Sequence, residues 1–184
     1  MKKVIFCLMF LLNISFLTSC TRPVQHSDPF YNEHGDEFSR LPLIKPIKAI
    51  QNGSFSPWYL GLGNPIWIEI PNSNNVYYVY DLVKELEKIS VKNGVVMAYS
   101  SYVDKETGAY ADKEAYAYIL DNYYHWFVIV PDKEIAKGFH TEDEFLEYIQ
   151  TLDIQNPDWQ TPDEAYDKFA DTGCLDWIPD CNQQ

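Results

Sequence analysis

YHWFVIVPDKEIAKGFHTEDEFLEYIQ, residues 124 to 150, carries the pattern of two strands followed by a helix. Residues 124 to 131 form an apolar run, which predicts a central strand covered on both faces, or by a helix on one. PDKE then turns the chain into IAKGF, residues 135 to 139. Thr141 and Glu144 have the spacing of a capping box, which predicts the start of a helix. The apolar stripe of this helix consists of Phe145, Ile149 and Leu152.

The same pattern predicts a second helix further along the chain. Thr161 and Glu164 form its capping box, and Pro162 occupies the first helical position, where a missing N–H costs nothing. Gly173 ends the helix, since glycine readily adopts the left-handed conformation of a C-terminal cap. The inward-facing side chains are Tyr166, Phe169 and Ala170.

Before residue 124, short β-prone runs alternate with turns. Pro42 and Pro46 lack a donor for a strand ladder, so a strand among residues 40 to 53 is predicted to lie at a sheet edge. GLGNP, residues 61 to 65, predicts a hairpin between the β-prone runs on either side of it. Asn93-Gly94 lies between apolar runs and predicts a tight hairpin.

Residues 76 to 90 favour a helix in the middle of the chain. Val79, Val83, Leu86 and Ile89 are spaced so that they lie near one helical face. With the elements above, the sequence predicts an α+β fold. We expect an antiparallel sheet of about six strands, one middle helix and two capped C-terminal helices.

The N-terminus has the composition of a signal peptide. Lys2 and Lys3 precede an apolar run of fourteen residues, Val4 to Leu17, which is shorter than the roughly 20 residues of a membrane-spanning helix. Residues 17 to 20, LTSC, follow at once and resemble the lipobox of bacterial lipoproteins. The alternative is a plain secretory signal cut at Ser19, with Cys20 left as a free thiol.

The lipobox resemblance implies that Cys20 carries a diacylglyceryl thioether and an acylated amine, with palmitate-type chains. Three chains anchor a protein stably at a bilayer surface. Thr21, rather than an aspartate, favours the outer membrane, with the domain outside the cytoplasm. We therefore divide the chain into a signal peptide (1–19), a lipidated cysteine and flexible tether (20–39) and one globular domain (40–184).

The charge of the chain limits its partners. The full sequence has a net charge of −13, and removing residues 1–19 leaves 12 basic against 27 acidic residues, a net charge of −15. Such a surface repels phosphate backbones. The only cluster of basic residues in the sequence is Arg40, Lys45 and Lys48, so nucleic acid is excluded as a partner. A basic protein partner or a cation stays open, as does a simple role in solubility.

Two cysteines remain in the predicted domain. Cys174 and Cys181 are seven positions apart and can close a small disulfide loop in an oxidising compartment. No histidine lies near them in the sequence and the spacing is not CxxC, so we expect no metal site there.

Candidate catalytic residues lack a supporting motif. The four histidines form no HxxxH or HExxH pattern, and no serine lies in a G-x-S-x-G frame. Residues 104 to 112 alternate acidic side chains, but Ala109 and Ala115 stand where a calcium loop needs glycine and glutamate. We expect no enzyme activity and no cofactor. A hydrolase with a dispersed site would need His125 in a pocket with a carboxylate in reach.

Aromatic side chains make up 16% of the residues, with fourteen tyrosines. Tyrosine suits a half-wet sheet face, which explains many of them structurally. The functional alternative is a flat contact surface for a protein or for sugar rings. A glycan-binding lipoprotein would bring two or three exposed rings into one groove, and the candidate rings are Trp58, Trp67 and Trp126.

Residues 126 to 149 also resemble part of the immunity proteins of polymorphic toxins, in the strand pair WFVIVPDKEIAKGF leading into TEDEFLEYI. This resemblance implies a binding protein with a basic toxin as partner. A membrane-anchored, non-catalytic binding lipoprotein is therefore the first hypothesis, and glycan binding is the alternative.

Overall fold

The computed structural model describes residues 24–32, 38–71, 77–80, 82–102 and 124–181. These residues form an α+β fold in which every strand pairing is antiparallel. The strands are β1 (Ser39–Pro42), β2 (Lys48–Gln51), β3 (Trp58–Gly61), β4 (Ile68–Pro71), β5 (Tyr77–Tyr80), β6 (Leu82–Val83), β7 (Leu86–Lys92), β8 (Val95–Ser100), β9 (Trp126–Val130) and β10 (Ile135–Phe139). The helices are α1 (Glu142–Gln150) and α2 (Pro162–Thr172).

The strands form two sheets of four and one pair, rather than the single sheet of about six that the sequence predicts. The outer sheet has the order β1-β2-β3-β6, the central sheet β10-β9-β8-β7, and β4 pairs with β5. β1 lies at an edge, as its proline predicts, but β2 is flanked on both sides. The predicted hairpin at residues 61–65 is wrong because β3 pairs with β2 and β6, and β4 pairs with β5.

The central sheet is covered on both faces. Alternate side chains of β8 and β9, such as Ala98 and Ile129, pack towards the outer sheet and α2. Their neighbours, such as Met97 and Val128, pack against Phe145 of α1 on the opposite face. The predicted central strand at residues 124–131 is thus confirmed as β9, and the continuous apolar run reflects burial on two faces.

The two C-terminal helices begin as predicted. In each, the threonine hydroxyl accepts from the backbone N–H of the glutamate, and the glutamate carboxylate accepts from the backbone N–H of the threonine. Gly173 ends α2 with φ of 71°. Asn93 and Gly94 both have positive φ, 52° and 77°, in the turn between β7 and β8, as a tight two-residue hairpin requires.

The predicted middle helix is wrong, since the described part of residues 76–90 consists of β5, β6, the start of β7 and the short connection before β7. A β-bulge shifts the register of β7 between Leu86 and Lys88. The bulge lets Leu86 and Ile89, three residues apart, both point into the core, whereas a regular strand repeats every two residues. This spacing imitates the period of a helix, which explains the incorrect prediction.

Part of the predicted flexible tether is folded. Residues Pro29–Asn32 form a 3-10 turn, and Tyr31 is 8% exposed within the core shared by the two sheets. The tether prediction is therefore wrong for residues 24–32. Their polar composition hid this packing, in which Tyr31 and His26 are buried and Phe30 packs against the core.

Candidate functional site

The three candidate tryptophans do not share a groove. Trp58 is 4% exposed, and its Nε1 donates to Asp163 at 2.7 Å. Trp126 is half-buried and stacks on Phe145, with ring centres 5.2 Å apart. Trp67, in contrast, is 44% exposed. Of the three candidate rings, Trp67 alone is exposed.

Trp67 lines one of two hollows beside β10. The first hollow has a volume of about 470 Å³, and the second has about 520 Å³. Tyr124 and Gly138 line both. We call the combined region the β10 surface. Its lining residues are Pro65, Trp67, Ile68, Tyr124, Glu134, Ile135, Ala136, Lys137, Gly138, Phe139, His140, Glu144, Glu147, Tyr148 and Thr151.

Tyr124 separates the two hollows by lying across β10. A Cβ added at Gly138 would lie 2.2 Å from Cδ2 of Tyr124, so only glycine admits the ring at this position. On its other side, Tyr124 contacts the ring of His140, with centres 4.6 Å apart. A strand glycine covered by an aromatic ring keeps the strand packed while leaving the surface flat.

Acidic side chains flank these rings. Glu134, Glu144 and Glu147 are exposed, and the lysine among the lining residues, Lys137, lies over the ring of Tyr148, 4.4 Å from its centre. The backbone N–H of Thr141 bonds to the Glu144 carboxylate and lowers its pKa. Glu144 is therefore ionised at neutral pH, and the charged side chains beside these rings are mainly acidic.

The backbone of β10 also contributes to this surface. β10 lies at one edge of the central sheet, and its Phe139 carbonyl accepts from the N–H of His125 at 3.0 Å. Backbone groups alternate in direction along a strand, so those of Ala136 and Gly138 point away from β9. At the opposite edge, Ile89 of β7 exchanges two hydrogen bonds with Gln160, of 2.9 and 3.0 Å, which covers that edge.

His125 does not lie in the β10 surface. Its Nδ1 is 2.9 Å from the carbonyl oxygen of Ser100, which accepts this hydrogen bond, and the ring is half-buried. Neither hollow beside β10 is lined by His125. The described contacts of His125 therefore include neither the carboxylate nor the pocket that a hydrolase would need.

The cysteine pair lies beside the N-terminal segment, residues 24–32. Cys174 and Cys181 form a disulfide with Cα atoms 5.5 Å apart. Nε2 of His26 lies 3.9 Å from Sγ of Cys181 and donates to the carbonyl of Gly173 at 2.6 Å. His26 is therefore near the pair in the folded protein, although no histidine is near it in the sequence. Both sulfurs are bonded to each other, so neither is a thiolate ligand for a metal.

Residues 24–32 are held against this disulfide loop by several contacts. The N–H of Val24 donates to Thr172 at 2.9 Å. Gly173 is required here twice, because its φ is positive and because a Cβ would lie 2.6 Å from the carbonyl oxygen of Val24. Lys45 pairs with Asp28 at 2.9 Å. We call residues 24–32 together with residues 172–181 the N-terminal surface.

Cys20, the signal peptide and the candidate calcium segment (104–112) lie outside the described residues. Within the described ranges, no helix combines the length and apolar character needed to cross a bilayer. Comparison of the chain with known protein families, curated proteins and solved structures finds no match. Function must therefore be inferred from the chain's own residues.

Proposed function

We propose that this protein is a lipid-anchored lipoprotein of the bacterial cell envelope that binds a partner protein, without catalysis, through the β10 surface. The observation that carries the proposal is the placement of Trp67 and Tyr124 in one hollow along an edge strand. Exposed tryptophan and tyrosine are common anchors of protein interfaces, since they bury a large area at low entropic cost. The LTSC motif at residues 17–20 supports the anchor.

The charge of the β10 surface supports a basic partner. Three exposed carboxylates line the hollows, against one lysine. α1, which borders the second hollow, has acidic residues at Glu142, Asp143, Glu144 and Glu147 and no basic residue. Opposite charge on a partner would accelerate association and exclude like-charged competitors. A basic toxin, as in the immunity-type subtype, has this chemistry.

The edge strand supplies a second mode of contact. An extended peptide can pair with the outward-facing backbone of Ala136 and Gly138 while its side chains enter the hollows on either side of Tyr124. No strand within the described ranges pairs with the outer edge of β10, so the peptide would be its hydrogen-bonded neighbour there, as Gln160 is for Ile89 of β7. This mode is compatible with many partner sequences, because the backbone gives affinity and the hollows give specificity.

Membrane anchoring is tested by expressing the full chain and its Cys20→Ser variant in bacteria that are fed labelled palmitate. We expect label and membrane pelleting for the natural chain, and loss of both for the variant. Label that persists in the variant would contradict anchoring at Cys20.

Partner binding is tested by capture from extracts with the purified chain and two variants. Trp67→Ala removes the exposed ring of the hollow, and Phe55→Ala removes a fully exposed ring (103%) outside it. The proposal requires a basic protein that Trp67→Ala loses, that Phe55→Ala retains, and that salt weakens. Equal capture by both variants would place the contact elsewhere.

Glycan binding is the second candidate, because Trp67 and Tyr124 line the same hollow. Sugar rings stack on aromatic faces, so immobilised polysaccharide is the probe. Retention on polysaccharide that Trp67→Ala abolishes and salt does not weaken would favour this candidate over a protein partner.

A further inference from the structure

The attachment of the N-terminal segment limits how far the domain can move from its anchor. Val24 is the first described residue, and it is bonded to Thr172 at the end of α2. Cys20 precedes it by four residues, which span at most about 14 Å even when extended. The tether that the sequence predicts, ending at Ser39, would reach about 65 Å. The folding of residues 24–32 therefore removes most of the reach of the tether.

Residues 24–32 are held by enough contacts to stay attached. Tyr31 is buried in the core, the N–H of His26 donates to Oδ1 of Asn32 at 2.6 Å, and Nε2 of His26 bonds to Gly173. These hydrogen bonds and the burial of one aromatic ring together favour the attached state. The segment thus fixes where the chain leaves the domain.

We propose that the N-terminal surface is the face of the lipidated protein that lies against the phospholipid bilayer. This inference rests on the lipid anchor of the proposed function. With Cys20 at the lipid headgroups, the end of α2 and the disulfide loop cannot be further from the bilayer than the short connection allows. The occupant of this face is a lipid surface rather than a protein.

The charge of this face shows how it meets the bilayer. Asp171, Asp176 and Asp180 are exposed, and Lys168 is paired with Asp176 at 3.0 Å. Anionic headgroups attract basic segments and repel acidic ones. The exposed acidic side chains of this face therefore do not attract anionic lipid, and the acyl chains at Cys20 hold the face close.

The orientation has a consequence for the β10 surface. Tyr31 belongs to the core on one face of the central sheet, and α1 packs on the opposite face. The central sheet thus separates the N-terminal segment from α1, which borders the β10 surface. The anchor would direct this part of the binding surface away from the bilayer, where a partner has access to it.

The experiment uses the lipidated full chain in vesicles of phosphatidylcholine and phosphatidylglycerol that carry a nitroxide on the lipid headgroup. A fluorophore is attached to Asp171→Cys, at the end of α2, or to Glu147→Cys, on α1; both positions are exposed. We expect loss of fluorescence at position 171 and not at position 147. A third chain carries 15 Gly and Ser residues inserted after Pro23 and the label at position 171. This insert adds roughly 20 Å of average reach, so quenching at position 171 should be lost.

The outcomes separate this inference from the proposed function. Acylated protein that floats with vesicles but is quenched equally at both positions overturns the orientation and leaves the anchor intact. Quenching at position 171 that survives the insertion also overturns it, because the domain would then adhere by itself. Chains that carry no acyl group and do not float overturn both proposals.

Discussion

The N-terminal surface and the β10 surface use similar side chains for different ends. At the N-terminal surface an aromatic ring, Tyr31, is 8% exposed, and backbone groups are bonded across the fold. At the β10 surface the ring of Trp67 is 44% exposed, and the backbone groups of Ala136 and Gly138 point away from β9. Substitutions at the first surface should therefore reduce stability, whereas removal of an exposed ring at the second should mainly reduce binding.

The largest effect is expected for Tyr31→Ala, which removes the buried ring of the N-terminal segment. Truncation of a buried aromatic costs about 3 kcal/mol, through lost transfer energy and the cavity that remains. Urea unfolding should show this decrease in the free energy of unfolding. Tyr31→Phe keeps the ring and is the control. Similar stability of Tyr31→Ala and the natural chain would mean that the segment does not hold the N-terminal surface together.

Replacing both loop cysteines, Cys174→Ser with Cys181→Ser, should have the next largest effect. The disulfide closes a loop with a sequence separation of 7, and loss of so short a cross-link costs about 2 kcal/mol in the chain-entropy description. Thermal unfolding measures this, and a reducing agent should lower the stability of the natural chain to that of the variant. A reductant effect of equal size on the double variant would show that the loss does not come from this bond.

Gly138→Ala should disturb the β10 surface at smaller cost. The new methyl group would meet Cδ2 of Tyr124 at 2.2 Å, so the ring must move, at about 1 to 2 kcal/mol. Gly61→Ala is a matched control in β3, where the nearest atoms would be 3.8 Å away. Tyrosine fluorescence is too crowded to report this, so NMR shifts of His140, which contacts Tyr124, are the measurement. Unchanged His140 shifts in Gly138→Ala would contradict the position of the ring.

The smallest effect is expected in how the free energy of unfolding decreases at acidic pH. The cap bond from Thr141 lowers the pKa of Glu144 below 4.5, and Thr161 does the same for Glu164. Such groups stabilise the fold above their unfolded pKa and lose that contribution as the pH falls through the lower, folded value. Glu144→Gln should therefore lose less stability than the natural chain on acidification below about pH 4.5. Thr141→Ser keeps the hydroxyl and the backbone N–H that bond to Glu144 and should retain the natural slope.

One polar group lies outside this comparison. Among the described residues, the hydroxyl of Ser90 in β7 is buried without a hydrogen-bond partner. A buried hydroxyl without a partner costs free energy that an alanine does not. Ser90 thus marks a position where the core of the central sheet is not optimised for stability.

Local sequence patterns predicted the elements that depend on contacts between residues only a few positions apart. The capping boxes at Thr141 and Thr161, the Asn93-Gly94 turn and the stop at Gly173 depend on backbone groups close in sequence. The bulge in β7 was missed because its spacing imitates a helix. The division into two sheets was missed because which strands pair depends on the packing of the whole chain and not on the runs themselves.

The candidate site was harder to predict than the fold. The sequence indicates Trp67 only together with Trp58 and Trp126, and no motif in it selects Tyr124 or Gly138. The useful signal was a lone glycine within a β-prone run, which indicates close approach by another group. Nothing in the sequence around Gly138 identified that group as Tyr124, fourteen positions earlier.

The sequence by itself determined the charge, the helix starts and the tight turn, because each depends on residue chemistry or on contacts within one turn of chain. Tertiary structure alone decided that His26 meets the disulfide, that residues 24–32 are folded, and that Trp67 lies at an edge strand. These depend on contacts between residues up to 155 positions apart. Such contacts form only when the apolar surfaces of several elements are buried together, and no local pattern encodes their partners.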